Sequence, residues 1–120
     1  ILLDSQGHVR LTDFGLTKRL IGFNRRVVSF SGTMIYLAPE CLRQTNDGSC
    51  EEGNGHSKGA DFWALGVVTY FLATLKAPYW SEDMKEVVQM VTGEKSRDIF
   101  ADVSLNKPLQ SFIGSLLGLF

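Results

Sequence analysis

The first eleven residues alternate in a way that predicts a two-stranded β-hairpin. Ile1 to Leu3 form a short apolar run, and Val9 and Leu11 alternate with polar neighbours. The segment between them, Asp4-Ser5-Gln6-Gly7, has turn composition, because Asp and Ser accept local hydrogen bonds and Gly adopts positive φ at little cost. We therefore expect an antiparallel ribbon that closes at residues 4–7.

The middle of the chain lacks sustained periodicity. Residues 16–43 show neither a helical nor a strand pattern, and irregular segments of this length are usually functional or disordered. Residues 43–59 are polar and rich in glycine, which indicates a surface loop. Regular structure is expected to resume only after this loop.

The segment DFWALGVVTYFLATL, residues 61–75, is apolar nearly all round and predicts a buried helix. Asp61 is placed to act as its N-cap or as a first-turn acid. About 15 residues are too few to span a bilayer as a helix.

Two amphipathic helices are predicted further on. The first has Ser81 as its cap and ends at Gly93, and its apolar face holds Met84, Val87, Val88 and Val91. The second has an apolar stripe of Leu109, Phe112, Ile113, Leu116 and Leu117.

Composition indicates a globular protein and excludes several functions. The chain is 44% hydrophobic and 21% charged, with a formal net charge of −1, so no bulk attraction to nucleic acid or membranes is expected. No apolar run approaches the roughly 20 residues of a membrane span. Cys41 and Cys50 are too few for a four-cysteine zinc site or a disulfide-rich secreted module, which favours a reducing, cytoplasmic compartment, with the nucleus as a further possibility.

Three short motifs follow one another along the chain. Asp13-Phe14-Gly15 comes after the second strand, and by itself it is no more than an acidic hairpin end. Ala38-Pro39-Glu40, by itself, is a helix start with an early proline and a first-turn acid. Together with DFWALG at residues 61–66, in this order and at this spacing, they are not expected by chance.

With these motifs the sequence resembles a eukaryotic serine/threonine protein kinase. ILLDSQGHVRLTDFGLTKRL is similar to the strand pair that leads into the metal-binding triplet, and SFSGTMIYLAPE to the end of the activation segment in the AGC group. DFWALGVVTY is similar to the central helix of the C-terminal lobe. The resemblance runs from Ile1 to Phe120.

The resemblance implies an α+β, protein-kinase-like fold, represented by a partial domain. Residues 1–15 would be the β-ribbon and metal-binding triplet, and residues 16–40 the activation segment. Residues 41–60 would be the polar loop and residues 61–120 the helical part of the C-terminal lobe.

The resemblance also assigns roles around the reaction site. Asp13 would chelate the Mg²⁺ that bridges the phosphates of ATP, since a hard cation prefers carboxylate oxygen. Phe14 would pack under the helix that positions the nucleotide anchor, and Gly15 would give the backbone freedom to turn. Thr33, in the pattern Gly32-Thr33-x-x-Tyr36, would hydrogen-bond the catalytic aspartate and a nearby lysine.

Two acidic residues are expected to be structural. Glu40 would form half of a buried ion pair with an arginine beyond Phe120. Asp61 would be buried and accept hydrogen bonds from the catalytic-loop backbone, and this role is compatible with simple capping.

Ser29 lies where related kinases carry the activating phosphorylation, and we favour it over Ser31 and Thr33. An upstream activating kinase is therefore an expected partner. Lys18 matches a lysine that contacts this phosphate in the family. Arg25 and Arg26 either assist it or form a solvated basic face.

The predicted function is transfer of the ATP γ-phosphate to serine and threonine hydroxyls of protein substrates. The glycine-rich loop and catalytic loop are expected before Ile1, so the 120 residues alone are expected to be inactive. Two alternatives remain: a pseudokinase scaffold and a free-standing binding module. Phe71 replaces the glutamate that reads a substrate arginine in basophilic AGC kinases, and the glycine expected near Leu75 is absent.

Overall fold

A computed structural model of the chain describes residues 1–19, 33–42, 57–93 and 98–119. The predicted hairpin is confirmed, with β1 at Leu2–Leu3 and β2 at Val9–Arg10 paired antiparallel. Its turn is closed by the Asp4 amide, which donates to the His8 carbonyl at 2.9 Å, and Gly7 adopts a φ of 83°. The turn residues therefore do what their chemistry predicts.

The rest of the described chain is helical. A 3₁₀ helix covers Met34–Tyr36 and is followed by α1 at Pro39–Leu42, α2 at Gly59–Thr74, α3 at Met84–Thr92 and α4 at Lys107–Leu116. A two-stranded sheet with these helices confirms the predicted α+β class. No helix in the described ranges is long and apolar enough to cross a membrane.

Helix α2 is buried on one face only. Trp63, Val67 and Tyr70 lie in the core, whereas Leu72 is 72% exposed and Phe62 is also exposed. The predicted all-round burial is therefore wrong for the described residues, because the segments that pack on α2 cover a single side. Asp61 lies in the first turn and Lys58 holds the N-cap position, so of the two roles expected for Asp61 the first-turn acid is the observed one.

Helix α3 is capped differently from the prediction. Asp83, rather than Ser81, is the N-cap, and its carboxylate accepts a hydrogen bond from the Lys85 amide at 2.9 Å. The Ser81 hydroxyl instead accepts from the Asp83 amide and donates to Glu86. The predicted end at Gly93 is correct, with a φ of 83°.

On the predicted apolar face of α3, Val87 and Val91 are buried and Val88 is half-buried. Met84 is exposed, and Met90 is buried in the core instead.

Helix α4 packs against α2 at a glycine. Asn106 caps α4 by accepting from the Leu109 amide at 2.9 Å, and Ile113 and Leu117 are fully buried. A Cβ placed on Gly66 would lie 2.9 Å from Leu117 Cδ2 and 3.0 Å from Leu116 Cβ. The two helices can approach this closely only because Gly66 has no side chain. Phe112, at the edge of the predicted stripe, is exposed.

One core joins the helices. The rings of Trp63 and Tyr79 stack with centroids 5.9 Å apart, and the Tyr70 hydroxyl donates to the Ile99 carbonyl at 2.7 Å. The remaining buried apolar residues lie around them: Ala38, Cys41, Leu42, Val67, Val87, Met90, Val91, Ile113 and Leu117.

The chain turns away from α2 at a strained residue. Leu75 is the C-cap and adopts the left-handed conformation, with φ 58° and ψ 22°. Its amide donates to the Phe71 carbonyl at 2.7 Å, and its side chain is 79% exposed. Glycine is the usual residue in this conformation, because a Cβ there costs roughly 1–2 kcal/mol.

Replacing Gly66 with alanine should destabilise the protein. Alanine favours a helix by about 1 kcal/mol, but overpacking a close contact costs roughly 1–3 kcal/mol, and one contact here is the Cβ of Leu116, which moves only with its backbone. We expect a net loss of about 1 kcal/mol for Gly66→Ala and a larger loss for Gly66→Val. Urea unfolding followed by circular dichroism measures the free energy of unfolding of both variants. A Gly66→Ala variant more stable than the native chain would contradict the close contact, because it would show that α2 and α4 move apart at little cost.

Replacing Leu75 with glycine should stabilise the protein, in spite of the general cost of glycine. Relief of the left-handed strain is worth about 1 kcal/mol, and the exposed leucine side chain loses little packing. Leu75→Ala is the matched control, because it removes the same side chain but keeps Cβ. Equal urea midpoints for the two variants would contradict the strain argument.

Candidate functional site

Asp13 lies on an exposed turn just after the hairpin. Its φ is 63°, a left-handed conformation that aspartate tolerates better than most side chains. Its Oδ1 atom lies 3.6 Å from the position that a Cβ on Gly15 would occupy. The Thr17 amide donates to the Phe14 carbonyl at 3.0 Å and closes the next turn. Strained backbone of this kind is common at functional sites.

The carboxylate of Asp13 fits a magnesium ion that is shared with a nucleotide. Mg²⁺ keeps several waters and is typically held by one or two carboxylates together with substrate phosphates. Asp13 is exposed, and within the described ranges no hydrogen bond or ion pair occupies its carboxylate. The same ranges contain no group of three or more acidic, histidine or cysteine side chains that could hold a metal unaided. Asp13 is thus suited to be one ligand of an ion held mainly by other groups.

Phe14 and Gly15 complete the triplet on the same turn. The Phe14 side chain is 66% exposed, and it contacts no core formed by the described residues. Its packing under a nucleotide-positioning helix stays a prediction.

Thr33 begins the segment that leads to α1. It is the N-cap of the 3₁₀ helix, with an extended backbone, and its carbonyl accepts from the Tyr36 amide at 3.1 Å. Its side chain is exposed and makes no capping hydrogen bond. The hydroxyl is therefore not used to stabilise this helix, as expected if its partner is a catalytic group.

Glu40 lies close to the start of α2. It occupies the first turn of α1 and is half-buried, and its Oε1 atom is 4.0 Å from the position of a Cβ on Gly59. No ion pair of Glu40 is formed within the described residues, so the pairing with an arginine stays a prediction.

Asp61 is exposed rather than buried. It projects from the first turn of α2, and no described segment lies over it. A carboxylate there is favourable because it faces the positive end of the helix dipole. The expected burial is thus wrong for the described chain, and hydrogen bonding to a catalytic-loop backbone stays a prediction.

Ser29, like Arg25, Arg26 and Ser31, lies outside the described residues. Lys18 is described and exposed, near the end of the first described range. The contact between Lys18 and a phosphate on Ser29 stays a prediction.

The hairpin that leads to Asp13 is stabilised by the carboxylate of Asp4. Asp4 Oδ1 accepts from the His8 and Gln6 amides at 2.9 and 3.0 Å, and Oδ2 lies 2.8 Å from Arg10 Nη2. The His8 amide, followed by the Arg10 side chain, lowers the pKa of Asp4 below its ordinary value. This turn therefore depends on the charged form of the carboxylate.

A cavity of about 400 Å³ lies beside the 3₁₀ helix and was not predicted from the sequence. Ile35 and Tyr36 form one wall, Phe71 of α2 another, and Lys76 and Trp80 lie at the turn after α2. The cavity could not be predicted because these residues are far apart along the chain. The one indication in the sequence was the apolar Phe71 at a position where related kinases have a glutamate.

Residues 1–119 match the protein kinase domain family. The chain belongs to that family. The family match covers almost every residue and confirms the resemblance that was inferred from the motifs at residues 13–15, 38–40 and 61–66.

Individual relatives point to the same group. Over 95 residues the kinase chain is 39% identical to ribosomal protein S6 kinase 2 beta of Xenopus laevis, 37% to ribosomal protein S6 kinase alpha-2 of Homo sapiens and 38% to ribosomal protein S6 kinase alpha-3 of Mus musculus. These matches cover 79% of this chain but only 12–14% of each relative. They support the AGC-like assignment and show that the chain spans about an eighth of the length of these relatives.

Acid should open the hairpin turn. The pKa of Asp4 is lowered in the folded state, so the contribution of the carboxylate to stability is complete above its unfolded pKa of about 4 and is lost as pH falls through the lowered value. NMR titration of the His8 and Gln6 amides should therefore show them losing hydrogen-bonded shifts together in this acidic range.

Asp4→Asn should give weakened amide hydrogen bonds already at neutral pH, because it removes the charge that attracts Arg10. Ser5→Ala is the control, since it alters the same turn without touching that carboxylate. Identical titrations of the native chain and Asp4→Asn would contradict the assignment.

Proposed function

We propose that this chain is part of a serine/threonine protein kinase, which transfers the γ-phosphate of ATP to hydroxyl groups of protein substrates. The observation that carries the proposal is Asp13, an exposed carboxylate held on a left-handed turn directly after the hairpin. Membership of the protein kinase domain family supports it. The names of the ribosomal protein S6 kinases favour serine and threonine as acceptors.

Asp13 would be the ligand that this chain contributes to Mg²⁺. The ion, when bound, neutralises charge on the phosphates and helps to align the transferred group. The protein's own contribution is to hold the carboxylate in place, and the left-handed backbone at Asp13 together with the turn closed by Thr17 does this.

Thr33 and Tyr36 would shape the acceptor side of the site. The Thr33 hydroxyl is exposed and takes no part in capping, so it can hydrogen-bond a catalytic aspartate and lysine. The 3₁₀ helix after it fixes the direction of the chain towards Glu40, whose side chain reaches the start of α2. This arrangement supports a wall against which a peptide hydroxyl is positioned.

Regulation by phosphorylation of Ser29 is part of the same proposal. A phosphate adds roughly −1.5 to −2 charges and three acceptor oxygens, and a lysine such as Lys18 would be a suitable partner. An upstream kinase would supply that phosphate, and a cytoplasmic or nuclear location would suit such a partner.

A pseudokinase scaffold is the second candidate. The observation that favours it is the loss of two expected features at α2: an apolar Phe71 lines the cavity, and the glycine expected near Leu75 is absent, while Leu75 itself adopts a left-handed conformation. Neither change affects the residues expected to take part in phosphate transfer, because Asp13, Gly15 and Thr33 are all present. Phosphotransfer by the longer protein that contains these residues separates the two functions.

Asp13→Asn in that longer protein should lower kcat at least about 100-fold, because it removes a metal ligand. Loss of a residue that only hydrogen-bonds to a metal ligand already costs about 10–100-fold in activity, and loss of the ligand itself should cost more. Asparagine also tolerates the left-handed backbone, so the fold should be preserved. Asp102→Asn, at an exposed aspartate in another part of the fold, is the charge-matched control and should leave kcat unchanged.

Transfer of labelled phosphate from ATP to a mixed protein substrate provides the measurement. An Asp13→Asn enzyme with native kcat would overturn the role of Asp13. A native enzyme without any transfer would favour the scaffold.

A further inference from the structure

The cavity beside the 3₁₀ helix is apolar and large enough to hold a side chain of a bound peptide. Its volume of about 400 Å³ falls in the range of ligand sites in proteins. Val67 lies at its floor and is buried, whereas Phe71 and Trp80 are partly exposed and present their rings to solvent. Exposed aromatic rings around a concave surface are typical of sites that anchor a partner's side chain.

The charge of this cavity has one sign. Among the described residues that line it, Lys76 is the only ionisable side chain apart from the phenol of Tyr36, and none of them carries a carboxylate. Lys76 is exposed and is anchored by its backbone, whose amide donates to Thr74 Oγ1 at 3.2 Å. An ammonium group at the rim attracts a carboxylate and repels a guanidinium.

The cavity adjoins the segment that begins at Thr33. Ile35 and Tyr36, which form one of its walls, follow Thr33 by two and three residues in the same 3₁₀ helix. A peptide whose hydroxyl is held near Thr33 would therefore reach the cavity with residues a short distance along its own chain. This step rests on the proposed function.

We propose that this cavity is a specificity site for protein substrates that carry a large apolar residue next to an acidic one. The apolar side chain enters between Phe71, Trp80 and Ile35, and the acidic residue pairs with Lys76 at the rim. Phe71 gives a guanidinium no carboxylate to pair with and Lys76 repels it, so the site selects against an arginine at this position of the substrate. The substrate class is thus apolar and acidic rather than basic.

Peptide binding to the full 120-residue chain tests the proposal independently of phosphotransfer. The probes are three fluorescein-labelled octapeptides of alanine and one serine that differ at two adjacent positions: Phe-Asp, Ala-Asp and Phe-Arg. Fluorescence anisotropy should show the tightest binding for Phe-Asp. Exchange of Asp for Arg should weaken binding about fivefold, as expected for one exposed charge pair. Removal of the phenyl ring should weaken it by about tenfold or more.

Variants on one helix locate the site. Phe71→Glu should reverse the preference towards the Phe-Arg peptide, because it places a carboxylate in the lining. Leu72→Glu introduces the same charge at the adjacent residue, which is 72% exposed and lies outside the cavity, and should leave the preference unchanged. Lys76→Ala should abolish the difference between Phe-Asp and Phe-Arg while the contribution of the ring persists. Circular dichroism of each variant confirms that the helices are retained.

The intrinsic fluorescence of Trp80 supplies a second measurement. The chain has two tryptophans, and Trp63 is buried in the core whereas Trp80 lines the cavity. The Phe-Asp peptide should change the emission of the native chain but not that of Trp80→Phe.

Equal binding of the three peptides, binding to none of them, or an equal effect of Phe71→Glu and Leu72→Glu would overturn the proposal. Selective binding by the 120-residue chain, together with no phosphate transfer by the longer protein that contains it, would instead leave the site standing and refute the kinase activity.

Discussion

The close contact between α2 and α4 at Gly66 is the constraint on which the fold depends. Leu116 and Leu117 lie so near that a single Cβ on Gly66 would reach 3.0 Å or less from both. This contact fixes the rotation of α2 about its axis, because Gly66 is the one glycine in the interior of the helix. Trp63 and Tyr70 are then directed into the core, where one stacks on Tyr79 and the other donates to the Ile99 carbonyl.

The same rotation also places the cavity. Val67 follows Gly66 directly and is both part of the core and part of the cavity floor, whereas Phe71, one turn later, forms its wall. Packing and specificity are therefore coupled through one helix: a change that rotates α2 would repack the core and move Phe71 together. Asp13 follows a hairpin stabilised locally by Asp4, so the residue proposed to bind Mg²⁺ is held by different contacts from those that shape the cavity.

Local chemistry made much of the fold predictable, and long-range packing explains what was missed. The hairpin and the end of α3 depend on Gly7 and Gly93, whose positive φ angles are needed within a few residues. The motifs at residues 13–15, 38–40 and 61–66 together identified the family for a similar reason, because the residues of each motif are adjacent in sequence. By contrast α2 is apolar on nearly every side, so its sequence carries no periodicity that distinguishes the packed face from the exposed one. The cavity combines residues 35–36 with residues 67–80, and only the fold brings them together.

The strained cap at Leu75 connects the end of α2 to the proposed specificity. A left-handed residue at this point reverses the chain, so Lys76 and Trp80 return alongside the helix and reach the cavity next to Phe71. Thr74 reinforces the turn, since its hydroxyl interacts with the Tyr70 and Lys76 carbonyls at 2.8 and 3.2 Å. Glycine would adopt the same backbone at lower cost but would also allow many others in the unfolded chain. The position of Lys76 thus depends on the backbone geometry at residue 75 rather than on the leucine side chain. A substitution at Leu75 can therefore change the stability of the turn without removing the charge of Lys76 at the rim of the cavity.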